Sequence, residues 1–121
     1  MEMNKGNLLE KFGMFSDHWH PRIIAELNGQ AVKIAKIKGE FEWHKHDNED
    51  ELFYVVKGEI KISLRDRELL LGEGEYVVIP KSVEHKPSSE NESYILMFEP
   101  ATTINTGDNE SKLKKTELER I

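Results

Sequence analysis

The sequence predicts an all-β fold, an antiparallel roll of eight to nine short strands closed as a sandwich or barrel, with a short helical segment ahead of it. Three observations carry this. Short runs such as Ala31 to Lys38 and Glu59 to Leu64 alternate apolar and polar residues with the period of a half-buried strand. Turn residues, chiefly Gly, Pro and Asn, separate the runs. The intervals are too short for the crossover of a dozen or more residues that parallel strands need, so neighbouring strands pair antiparallel.

Length and charge narrow the function classes. A chain of 121 residues suffices for one domain with one core and is too short for two. A single site is therefore expected, inside that core. The formal net charge is -6, from 17 basic and 23 acidic residues, and no block of Lys or Arg outweighs it. Nucleic acid and anionic membrane surfaces are disfavoured as partners. The absence of cysteine removes disulfides, thiolate metal ligands and Cys nucleophiles together. No window approaches the roughly 20 apolar residues of a membrane span, and the first residues lack a signal peptide's apolar run. This reads as a cytoplasmic protein.

Taken in order, Asn7 to Phe15 carries Leu8, Leu9, Phe12 and Phe15 at helical spacing, enough for one or two turns weakened by Gly6 and Gly13. Trp19 stands between His18 and His20, and Pro21 holds His20 to extended or turn geometry. This HxH has no Glu-bearing strand after it and is read as structural, with Trp19 a packing anchor. Ile23 to Leu27 is a strand, Asn28-Gly29 a hairpin turn because both residues tolerate positive φ, and Ala31 to Lys38 the returning strand. Val32 and Ile34 share one of its faces, and its lysines are taken to mark an exposed side. After Gly39, a strand from Glu40 to His46 sets Phe41, Trp43 and Lys45 against Glu42, His44 and His46.

Asp47 to Asp50 is an acidic turn, and Glu51 to Val56 a strand. Glu59 to Leu64 turns Ile60, Ile62 and Leu64 inward; Arg65 to Arg67 is a hairpin tip, and Glu68 to Leu71 runs back. Glu75 to Ile79 ends at Pro80, which cannot sit in a central ladder. Ser88 to Ser93 reads as a polar turn and Tyr94 to Glu99 as the last strand, closed by Pro100. Ser111 to Ile121 fits a charged helix or a frayed end. The organisation is thus an arm or short helix over residues 1–22, a barrel over 23–100 and a polar tail over 101–121.

The densest chemistry lies between Gly39 and Gly58. His44 and His46, two apart on an extended segment, leave the same face and can aim at one point. A turn then resets the register, so Glu51 can return to that face from a neighbouring strand. Two imidazoles and a carboxylate form a mixed N/O set suited to Fe, Mn, Ni, Co or Zn. His85, in a second strand-turn-strand unit bounded by Gly and Pro residues, is placed to add a third imidazole. Asp47, Glu49 and Asp50 are read as a solvated acidic turn, with Asp50 an alternative to Glu51 as ligand.

These two units resemble the paired motifs of the cupin superfamily. The first runs Gly39, four residues, His44, Lys45, His46, four residues, Glu51, six residues, Gly58, one residue shorter after the first glycine than the family pattern. The second runs Gly74, five residues, Pro80, Lys81, Ser82, two residues, His85, three residues, Ser89, with serines where the family usually has glycine and asparagine. The chain is similar to small single-domain cupins over roughly residues 30 to 99. That resemblance implies a double-stranded β-helix, or jelly roll, in which His44, His46, Glu51 and His85 hold a divalent transition metal.

The function expected is a metal-dependent enzyme acting on a small organic acid, phenol or sugar, by dioxygenation or isomerisation. The alternative is a non-catalytic cupin that binds or senses a small molecule, with or without metal. Phe53 and Val55 with the Ile60, Ile62 and Leu64 set are expected to wall the site, and Tyr54, Lys57, Arg65 and Tyr94 are the candidate polar orienters. A homodimer is also expected, because the Leu8, Leu9, Phe12 and Phe15 stripe offers apolar surface to cover an open sheet edge.

Overall fold

The computed structural model describes residues 3–107 and 111–121. After one short helix, α1 (Leu8–Phe12), come seven strands: β1 (Arg22–Leu27), β2 (Gln30–Glu40), β3 (Glu51–Lys57), β4 (Glu59–Leu64), β5 (Glu68–Gly72), β6 (Tyr76–Ile79) and β7 (His85–Pro100). All pairings between them are antiparallel, in the order β1-β2-β7-β3-β6, with β4 and β5 joined on through β7. No helix of the described residues is long and apolar enough to cross a membrane.

The 16-residue β7 closes the roll. Its first part ladders with β4, from His85 opposite Leu64 to Ser88 opposite Lys61, and its second part is gripped by β2 and β3, with Ile95 opposite both Ala35 and Val55. Alternation does the rest: Phe53 and Val55, Ile95 and Met97, Ala35 and Ile37, Ile60 and Ile62 all turn inward to one core. Each such burial contributes about 1.5–3 kcal/mol for the larger side chains.

Three sequence expectations change. Residues 41–46 do not form a strand; a single bridge pairs His44 with His85, and without a regular pleat Phe41 turns to the same interior as His44. Residues 88–93 are not a turn between strands but a bulged part of β7. Ile37 faces Ser93 while Gly39 faces Ser89, so Glu90, Asn91 and Glu92 loop out. The buried serines make this stable: Ser89 Oγ reaches Glu59 O at 3.0 Å and Ser93 Oγ at 2.7 Å. Ser89 thus replaces the family's asparagine with a hydroxyl that still ties the ladder together. Nor do residues 111–121 form a helix; they run along β1, where Ile23 N donates to Glu119 O and Ile121 N to Ile23 O.

Of the lysines of β2 only Lys38 is exposed. Lys33 is 2% exposed and Lys36 8%, Lys36 donating to Phe15 O at 2.6 Å and lying over the Phe15 and Tyr94 rings. The apolar N-terminal stripe is likewise used within the chain, since Phe12 is 1% exposed and stacks on Tyr94 with centroids 4.6 Å apart.

Gly58 sits at φ +94° with β7 pressed against it. A Cβ there would lie 2.3 Å from Ser93 Oγ. Gly58→Ala is therefore expected to cost about 2 kcal/mol or more, from left-handed backbone and overpacking together. The midpoint of urea unfolding would fall accordingly, and an unchanged midpoint would refute the reading.

Candidate metal centre

Backbone pairing assembles the centre before any side chain is considered. His44 N donates to His85 O at 3.0 Å and His85 N to His44 O at 2.9 Å, so the two histidines are locked side by side with ring centroids 4.3 Å apart. Ser82 N donates to His46 O at 2.7 Å and Lys81 N to Asp50 Oδ1 at 2.8 Å, fastening the turn before β3 to the loop before β7. Asp50 is thereby spent on the loop. Ser82 itself adopts φ +69° where the family usually has glycine, so the tight turn is kept with a side chain in the left-handed region.

His44, His46, Glu51 and His85 are all buried and each offers one ligand atom, the four atoms lying within 4.8 Å of one another. Nδ1 of His44 donates to Glu42 O and Nδ1 of His85 to Val83 O, both at 2.9 Å, which leaves each Nε2 as the lone-pair nitrogen. Nε2 of His46 and of His85 each stand 3.5 Å from Glu51 Oε1. All three of these atoms are buried without a hydrogen-bond partner. Buried polar atoms are ordinarily satisfied, so a converging set of unsatisfied lone pairs fits a cation. The second HxH stays apart: His18 pairs with Glu92 at 2.7 Å and His20 with Asp17 at 3.1 Å.

Burial, and then the neighbouring His85, push the His44 pKa down to about 4. The ring is neutral at neutral pH and ready to ligate without losing a proton. In the metal-free protein the sign follows. The unfolded chain takes up its proton near pH 6.5 and the folded one only near 4, so stability present above 6.5 is lost as pH falls through that window. The full loss is about 3 kcal/mol. Urea midpoints measured from pH 7 to 4 should show this fall, and His44→Gln should flatten it; an identical slope in the variant would count against it.

The cavity beside the cluster was only partly legible. Phe53 lines it as expected, but the rest of the wall comes from Trp19, Ala35, Ile37, Phe41, Ile95 and Met97, closed by Asn105 and Leu118 of the C-terminal segment. Trp19 is thus a wall of the pocket as well as an anchor, stacked on Phe41 at 4.8 Å with its Nε1 donating to Lys38 O. Val55, Ile60 and Ile62 belong to the core without reaching the cavity. None of the four expected orienters lines it. Arg65 lies over the Trp43 ring at 3.8 Å, Lys57 over that of Tyr94, and Tyr54 is on the outer sheet face.

Besides His44 and Glu51 of the cluster and Asn105, the polar groups that line it are Lys33 and Glu99, both on strands that face the cluster. Lys33 Nζ lies 2.8 Å from Glu99 Oε1 and donates to Thr103 O at 3.1 Å. Burial and the adjoining Glu51 charge hold the Glu99 carboxyl well above the usual range. Burial would raise Glu51 as well, but the Glu99 carboxyl and the His46 and His85 rings beside it outweigh that and hold Glu51 well below. Of the two carboxyls, Glu99 is therefore the one that resists ionisation and Glu51 the one that favours it. The signal for both residues was available: Lys33 shares parity with Ala35 and Ile37, and Glu99 with Ile95 and Met97.

An antiparallel β-roll with three imidazoles and a carboxylate gathered beside an apolar pocket defines a class of small barrels whose His/Glu cluster could hold a metal. The family model of the Cupin_2 cupin domain matches residues 32–98, and the chain belongs to this family. It is similar to a cupin-2 domain containing protein from Shewanella frigidimarina NCIMB 400, at 47% identity and a TM-score of 0.77 over 78% of this chain and 92% of that one. It is also similar to protein NMB1881 from Neisseria meningitidis, at 30% identity and a TM-score of 0.75 over 81% and 100%. In sequence it is 39% identical over 67 residues to the uncharacterized protein YdbB of Bacillus subtilis strain 168, matching 54% of this chain and 59% of YdbB.

Proposed function

We propose that the chain is a metal-dependent enzyme acting on a small organic acid, phenol or sugar, with His44, His46, Glu51 and His85 as the ligands of one divalent transition ion. The observation that carries this reading is the convergence of unpartnered, buried ligand atoms beside an apolar cavity. Bound there, an Fe, Mn, Ni, Co or Zn ion would supply Lewis acidity and open coordination positions, suited to isomerisation or, as Fe(II), to dioxygenation.

The chain's own residues set the substrate. The space open to the centres of water-sized spheres is about 40 Å³, room for a few waters. Trp19, Phe41 and Phe53 line it with aromatic surface, so a compact, largely apolar ring or short acid fits better than a phosphorylated sugar. Lys33 and Glu99 offer a donor and a proton-bearing carboxyl at the polar end, in the orienting role for which the sequence pointed to Tyr54, Lys57, Arg65 and Tyr94. A non-catalytic binding or sensing cupin is the second reading, favoured by how little space the cavity leaves for a reaction.

The test is metal analysis of the purified full chain, followed by thermal unfolding with added Fe(II), Mn(II), Ni(II) or Zn(II). About one ion per chain, or a clear metal-dependent rise in Tm, is expected. Neither being seen would overturn the reading. Turnover of small phenols or acids by the loaded protein separates the enzyme from the binding module, which would bind them unchanged.

A further inference from the structure

We propose that residues 111–121 form a strap that competes with the ligand, Leu118 occupying part of the space into which a ring-sized molecule binds. The inference rests on the reading of the cavity as the place of a small ring or acid, and volume carries it. The cavity measures about 40 Å³, whereas a cavity of about 150 Å³ is what takes up benzene. A ring therefore enters only where a wall gives way. Most of the wall is fixed: Ala35 and Ile37 of β2, Phe53 of β3 and Ile95 and Met97 of β7 stand on strands laddered to one another and pack into the core. Trp19 is pinned as well, by its backbone N–H to Lys36 O and its ring N–H to Lys38 O, both at 2.9 Å.

Leu118 differs from these. It stands on irregular chain after β7, and none of residues 111–121 is buried, so lifting them exposes little apolar surface. What holds the segment is a short series of polar ties. Ile23 N donates to Glu119 O at 2.9 Å and Ile121 N to Ile23 O at 3.0 Å. Asn105 Nδ2 donates to Leu113 O and Lys115 N to Asn105 Oδ1, both at 2.8 Å, and Ser111 Oγ donates to Glu42 Oε2 at 2.7 Å. Water takes the place of each partner once the segment lifts, so the opening is local and far cheaper than parting the sheet. A ligand that binds only the lifted form has its affinity reduced by the fraction of molecules in that form. By linkage, the same ligand loosens the strap when it binds.

The probe is phenol, titrated into the full chain without added metal and followed by the carbon-13 methyl signal of Met97, the methionine that lines the cavity. Ser111→Ala removes the tie to Glu42 without altering the cavity wall, and should tighten phenol binding about fivefold. Leu118→Ala, which also empties the space, should tighten it about tenfold or more. Phenol at saturation should speed hydrogen exchange several-fold at the Lys115 and Ile121 amides, where a ligand filling a fixed pocket would slow it or leave it unchanged. Ser111→Ala without effect, amides protected or unchanged, or no phenol binding to either variant would each overturn the proposal. Metal binding is measured apart from all three readouts, so a failed strap leaves the reading of the ligand cluster standing, and a failed metal titration leaves the strap result intact.

Discussion

Replacing His85 by Ala is expected to remove metal binding while leaving a folded barrel. His85 is fully buried, and its ring lies between those of His44 and Phe53. Its backbone, not its imidazole, makes the bridge to His44, so that bridge survives. Removal of the ring opens a cavity but also deletes a buried Nε2 that has no partner, and the two effects offset in part, for a net cost of about 1–3 kcal/mol. The loss of metal affinity is larger. At a metal concentration of a hundred times Kd, binding stabilises the wild type by about 2.7 kcal/mol, close to a 10 °C rise in Tm for a domain of this size. The variant should show none of that rise and bind less than about a tenth of an ion per chain. Metal analysis and thermal unfolding of both proteins, apo and loaded, decide it; a variant that keeps full occupancy would remove His85 from the ligand set.

Why the cluster of candidate ligands was legible in the sequence and the pocket was not follows from the range of the signals. His44, His46 and Glu51 lie within one turn-and-strand unit, so two-residue periodicity and a single turn suffice to bring them together. His85 needed a second unit, punctuated by Gly74, Pro80 and Pro87. The wall depends instead on which strands stack, a matter of long-range pairing. Phe53 was legible because it follows Glu51 at even spacing. Trp19, Asn105 and Leu118 were not, since they come from irregular segments whose path is set by contacts with β1 and β2 rather than by local pattern. Lys33 was misread for a different reason. A lysine on a strand is ordinarily a marker of the solvent side, and only a buried acceptor on another strand, Glu99, reverses that inference.

That pair carries the second large effect. Lys33→Met is expected to destabilise the metal-free protein by about 3 kcal/mol or more, because it leaves the buried Glu99 carboxyl, which adjoins the Glu51 charge, without the ammonium 2.8 Å away that offsets it. The cost should shrink when a divalent ion is bound, since the ion then supplies the positive charge beside Glu51. A structural role limited to packing predicts otherwise: Met retains most of the lysine's apolar volume, and its cost would be small and the same in both states. Adding Glu99→Leu to Lys33→Met should recover part of the metal-free loss, as apolar replacement of a whole buried polar pair is tolerated better than removal of one member. Urea unfolding at neutral pH, run on the wild type and both variants with and without saturating Mn(II) or Zn(II), yields the coupling directly. Equal costs of Lys33→Met in the apo and loaded proteins would show that Lys33 does not balance the charge of the centre, and would return Glu99 to the role of a wall residue.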